Sequence, residues 1–176
     1  MRSLRQIIKT NQKGNAFIEF AIILPLLLLL FVGLIDLCIL LDEQLTLVHL
    51  SREAASVFSR GAGFDETFSA ITSADGSLEL DGREGRIILT KISLDNKGRP
   101  VITAQRSIGD LNQNSRVGTL PAGASSAPAM VPNGRNVPPS MSLVVVELFS
   151  QQQFILGKPE IAPGEGAIVL RSLAAF

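Results

Sequence analysis

Tryptophan and tyrosine are absent from this 176-residue chain, and histidine and cysteine occur once each, at His49 and Cys38. Without Trp and Tyr, surfaces that stack sugars or single-stranded nucleic acid on aromatic rings are disfavoured. A single cysteine excludes an internal disulfide. One cysteine and one histidine are also too few for a zinc site of the usual kind. A Ser-His-Asp arrangement would have to be built on His49 alone, and no nucleophile motif accompanies it. Gly61-Ala-Gly63 lacks the third glycine of a dinucleotide loop and reads as a helix stop instead. Asp75, Glu79, Asp81 and Glu84 cluster, but their spacing is not that of a calcium-binding EF-hand, and they read as a solvated acidic loop. These absences point away from an enzyme: no catalytic residue, metal or cofactor is expected.

Acidic residues are also missing from the start of the chain. Arg2, Arg5, Lys9 and Lys13 all precede Gly14, and no Asp or Glu does. The formal net charge of zero therefore divides into a leader of +4 and a remainder of −4. A remainder of that sign gives no reason to expect nucleic acid as a partner. Basic residues flanking a membrane helix keep that end in the cytoplasm. Asp36, Asp42 and Glu43 lie at the far end of the apolar run, so the expected orientation is N-terminus in, C-terminus out.

Between Ala16 and Leu41 only Glu19 and Asp36 carry charge, and Phe20 to Ile35 carry none. As a helix this stretch is longer than the ~30 Å of bilayer hydrocarbon. A secretory signal has a shorter apolar core followed by a small-residue cleavage site. Here the run ends in Leu-Leu-Asp-Glu, which favours retention in the membrane. Cys38 lacks the small residues that a lipoprotein cysteine needs before it, and reads as a buried thiol on a helix face. Asp36 is expected at the outer interface or paired with a partner subunit.

The helical period continues beyond the apolar run. Leu41, Leu45, Val48, Arg52, Ala55 and Phe58 recur at spacings of four and three, with Leu47, Leu50, Ala54 and Val57 beside them. Gly61 and Gly63 are the natural stop. Phe64, Phe68 and Ile71 predict a short second helix. Residues 86–94 and 100–106 are rich in β-branched side chains around Asp95-Asn-Lys-Gly98, which predicts a hairpin. Residues 142–149 and 167–173 predict two more strands. Residues 107–140, rich in Gly, Pro, Ser and Asn, predict a long exposed loop. The fold class expected is α+β: a long N-terminal transmembrane and amphipathic helix packed on a small antiparallel sheet of about four strands. The divisions are a basic leader 1–14, a membrane helix 15–41, an amphipathic extension 42–60 and a β-rich unit 61–176.

A basic leader ending in glycine, a glutamate five residues later and an apolar helix packed on a small sheet resemble the type IV pilin-like proteins. The run Gly14-Asn-Ala-Phe-Ile-Glu19-Phe20-Ala-Ile-Ile-Leu-Pro25 is similar to the TadE-like family, minor pseudopilins of tight-adherence pili. That family shows a glycine, four variable residues, Glu-Phe-Ala, a few aliphatics and a proline. Asn15 stands where other type IV pilins carry an aromatic or methionine, a departure that favours the tight-adherence branch. The resemblance covers about residues 9–40 and is only architectural beyond Gly61.

The resemblance implies cleavage of Gly14–Asn15 by a prepilin peptidase, which makes Glu19 the fifth residue of the mature chain. An ionised side chain in lipid costs about 2.5–3.5 kcal/mol on insertion scales. Pairing Glu19 with the new α-amine of Asn15, on the same or a neighbouring subunit, offsets part of that cost and sets register. Glu19, Phe20 and Pro25 are the implied recognition and assembly residues. Pro25 removes a helical hydrogen bond and so loosens the helix locally, or is a tolerated membrane-helix kink. The implied partners are the prepilin peptidase, other minor and major pilin subunits and the inner-membrane assembly platform. The implied location is the inner membrane, single-pass, with a periplasmic C-terminal unit and incorporation into an extracellular pilus. The alternative is a permanent single-pass protein, uncut at Gly14, whose outer β-domain binds a ligand or partner.

Overall fold

The computed structural model describes residues 3–74, 76, 78–132, 137, 142–152, 155 and 169–175, with side chains described from Ala16 onward. The chain forms two compact units, Met1–Ile39 with Phe154–Gly157, and Leu40–Gln153 with Lys158–Phe176.

In the first unit, the apolar run is helical because it holds many leucines and only Pro25 and Gly33 as interior breakers. The helix, α1, is assigned from Ser3 to Ser59, so the basic leader is helical and continuous with the apolar run. Nearly every side chain from Ala16 to Ile39 is exposed. Among them are eight large apolar residues of the stretch Leu24–Leu34. This part is long and apolar enough to cross a membrane. A surface apolar all round is stable only where water is absent. Cys38 is exposed here, not buried in protein, because none of the other described residues of this unit covers its side of the helix.

In the second unit, α1 from Leu40 onward lays one face on the sheet. The buried line is Leu47, Leu50, Ser51, Ala54, Ala55 and Phe58. Leu41, Leu45 and Arg52, expected on the packed face, are exposed. The period was right but the face is turned, since the smaller Ser51, Ala54 and Ala55 let the backbone approach the strands. The helix ends at Ser59, and Gly61 follows at φ +100, a left-handed conformation that a side chain rarely adopts. α2, Phe64–Ala74, opens with Asp65 and Glu66 near its N-terminus, where carboxylates favour the helix dipole. It buries Thr67, Phe68 and Ile71 as its spacing predicts. Phe58 and Phe64 meet at 4.9 Å between ring centroids, with the Lys91 ammonium 4.9 Å over the Phe58 ring.

The strands are β1 (Gly85–Leu94), β2 (Pro100–Ile108), β3 (Ala127–Pro128), β4 (Leu143–Gln151) and β5 (Val169–Ala175). They form one antiparallel sheet in the order β3-β2-β1-β4-β5. The sheet has five strands where about four were expected. The extra one, β3, is two residues long and sits at an edge, where Pro128 needs no ladder donor. Residues 167–168, expected in the last strand, lie outside the described residues.

Ile87, Leu89, Val144, Val146, Leu148, Leu170 and Ala174 face α1 and α2. The opposite face carries Ile92, Ile102, Leu143 and Val145, with Ile88 and Phe149 beside them. That face is buried too, which explains why β4 is apolar without alternation. The cover is the segment predicted as an exposed loop. β2 ends on one side of β1 and β4 begins on the other, so their connection must cross a face of the sheet. The helices occupy one face, and the connection takes the other. Leu111, Val117, Ala127 and Val137 are accordingly buried.

Candidate functional site

The sequence singles out Gly14, Asn15, Glu19, Phe20 and Pro25. All five are within α1. The backbone at Gly14 and Asn15 is helical, and their side chains lie outside the described residues. Glu19 and Pro25 are exposed, and Phe20 is 59% exposed. The three lie within two turns at the start of the apolar run, on different sides of the helix. Glu19 is the single acidic group there, with only apolar residues following it up to Ile35. Pro25 has no N–H, so the Ala21 carbonyl loses its helical donor. A carbonyl and a carboxylate both need donors when lipid or protein surrounds them. The arrangement can therefore accept an ammonium or N–H from outside this chain segment. Among the described residues no cluster of His, Cys, Asp or Glu is fit to hold a metal ion.

Asp36, the second charge of the apolar run, is in a different situation. It is buried, and its Oδ1 accepts the backbone N–H of Ile155 at 3.0 Å. Its partner among the described residues is thus a backbone N–H of its own chain. His49 is exposed on α1. Of the acidic cluster, Asp75 lies outside the described residues, and Glu79 and Asp81 are exposed.

One buried polar cluster was missed by sequence reasoning. Glu147 on β4 is fully buried. It accepts hydrogen bonds from the Ser115 hydroxyl and the Arg116 backbone N–H, and it pairs with Arg171 of β5. The Arg171 guanidinium lies 5.4 Å over the Phe149 ring. Gln105 makes a parallel clasp: its amide donates to Thr90 Oγ1 and the Gly118 carbonyl, and its Oε1 accepts the Leu120 N–H at 2.9 Å. Both clusters fasten the crossing connection to the sheet. The one available signal was Glu147 itself, an acid inside the apolar run Val144-Val-Val-Glu-Leu-Phe149. On the helix side, Ser51 and Ser172 hydroxyls meet at 2.6 Å, and the Gln44 amide donates to the Arg171 carbonyl at 3.1 Å.

No curated protein and no solved structure matches the chain. A family model described as TadE-like protein matches residues 14–56. The match begins at Gly14, contains Glu19, Phe20 and Pro25, and continues into the part of α1 that packs on the sheet. It stops before α2 and β1, so the sheet lies outside it. Over those residues the chain is similar to TadE-like proteins.

Proposed function

We propose that this chain is a minor pilin-like structural subunit, a pseudopilin, of a tight-adherence pilus. The observation that carries the reading is the exposed Glu19 at the head of an apolar helix that matches the TadE-like family. The precursor is held in the inner membrane with its +4 leader in the cytoplasm and its sheet unit in the periplasm. A prepilin peptidase cuts between Gly14 and Asn15. The new α-amine at Asn15 and the Glu19 carboxylate are one helical turn apart, at positions that share a helix face. In lipid the acid is costly. Pairing with the α-amine of a neighbouring subunit offsets that cost only when the axial register is correct. Phe20 and Pro25 contribute contact surface and local helix loosening for the move from lipid to filament. The other partners are minor and major pilins and the inner-membrane assembly platform.

The test is Glu19→Ala in cells that make the pilus. The variant precursor is expected to be trimmed normally but to be lost from sheared pili, and Glu19→Asp is expected to restore part of the incorporation. Normal incorporation of Glu19→Ala would refute the role given to this carboxylate.

A further inference from the structure

We propose that Ile155 contacts the bilayer surface, and that Asp36 holds it there. The inference rests on the reading that α1 crosses a membrane. It draws only on the first compact unit, to which Phe154–Gly157 belongs together with Met1–Ile39.

The exposure of the helix carries the first part. Ile35 and Leu37 are 48% and 54% exposed, whereas Asp36 between them is 8% exposed. A single helix cannot bury one residue between two open neighbours. The described group that meets it is Ile155, whose N–H donates to the Asp36 carboxylate at 3.0 Å. The bond meets two needs at once. A carboxylate in an apolar run needs a donor, and a backbone N–H brought to lipid needs an acceptor.

The level of the contact carries the second part. Twenty residues separate Ala16 from Asp36, about 30 Å of helix, which equals the thickness of bilayer hydrocarbon. With Ala16 at one boundary, Asp36 is at the other. Ile155, bonded to Asp36, is therefore presented at the boundary between hydrocarbon and headgroups. Its side chain is 64% exposed. In sequence it is the centre of Phe154-Ile155-Leu156, an apolar triplet between the polar Gln151-Gln-Gln153 and Lys158. The exposed Ile35 and Leu37, which flank Asp36, make the neighbouring helix surface apolar, so Ile155 extends an apolar surface that already exists. The occupant of this surface is lipid at the headgroup boundary.

The absence of Trp and Tyr makes the test direct, because one introduced indole is the only strong emitter. The full chain carrying Ile155→Trp is reconstituted in phosphatidylcholine and phosphatidylglycerol vesicles with lipid brominated near the top of the acyl chain. A Phe31→Trp chain serves as the reporter of helix insertion. Both indoles are expected to emit at short wavelength and to lose most of their intensity to bromine. Adding Asp36→Ala is expected to reverse the loss for Ile155→Trp and to leave Phe31→Trp quenched. An unquenched Ile155→Trp beside a quenched Phe31→Trp overturns the inference and leaves the membrane helix standing. If that unquenched indole still emits at short wavelength, protein covers the site, and the inference is equally overturned. Failure of both indoles to be quenched removes the membrane reading and the inference together.

Discussion

Glu19, Asp36 and Glu147 are carboxylates in apolar surroundings, and they are handled in three ways. Glu147 is fully enclosed and has three partners: Ser115, the Arg116 N–H and Arg171. Asp36 is covered by one backbone N–H of its own chain. Glu19 is exposed on the helix. Among the described residues no partner satisfies Glu19, which is why the proposed assembly role falls to Glu19 and not to the other two. The buried pair allows a prediction. Removing one partner of a buried ion pair leaves the other uncompensated and costs about 3–5 kcal/mol. Arg171 is mostly enclosed, with its side chain 17% exposed, so that range applies. Glu147→Ala is expected to lower the unfolding free energy of the full chain in detergent by that amount, measured by denaturant titration. A loss within the ±0.5 kcal/mol of an ordinary surface change would show that the cluster does not hold the crossing connection.

Among the elements, the β1–β2 hairpin and the two helices were legible because their signals are local. The hairpin turn is built by Asp95. Its Oδ1 accepts the N–H groups of Lys97 and Arg99, both at 2.8 Å, and its Oδ2 faces the Arg99 guanidinium. The Arg99 backbone N–H, foremost, then its guanidinium and the Lys97 N–H, hold the Asp95 carboxyl below its ordinary pKa. A carboxylate whose pKa is depressed by folding stabilises the fold above its unfolded-state pKa. That contribution is lost as pH falls through the folded-state value. The stability difference between the parent chain and Asp95→Asn should therefore be constant at neutral pH and shrink on acidification below the ordinary carboxylate range. A difference that grows on acidification would contradict the assignment. The crossing connection was not legible. Leu111, Val117, Ala127 and Val137 are isolated among polar residues without a period, and their burial is imposed by strand order. The clasps at Glu147 and Gln105 were hidden for the same reason, since they join residues far apart in sequence. The motif Gly14–Pro25 was readable because it is contiguous.

For the whole molecule, the family match spans residues 14–56 and so includes residues of both compact units. Its first part is an exposed apolar helix surface, long enough to cross a membrane. Its second part is the helix face that closes one side of the sheet. The chain thus joins an apolar helix to a unit with two covered sheet faces and several internal polar clasps. The central claim is that the helix is first a membrane anchor and then an assembly surface, and that trimming converts one into the other. Intact-mass and N-terminal peptide analysis of the chain, produced together with a prepilin peptidase, tests this most directly. A mature chain that begins at Asn15, with Glu19 as its fifth residue, is the predicted result. A chain that retains Met1 through Gly14 under the same conditions would contradict it.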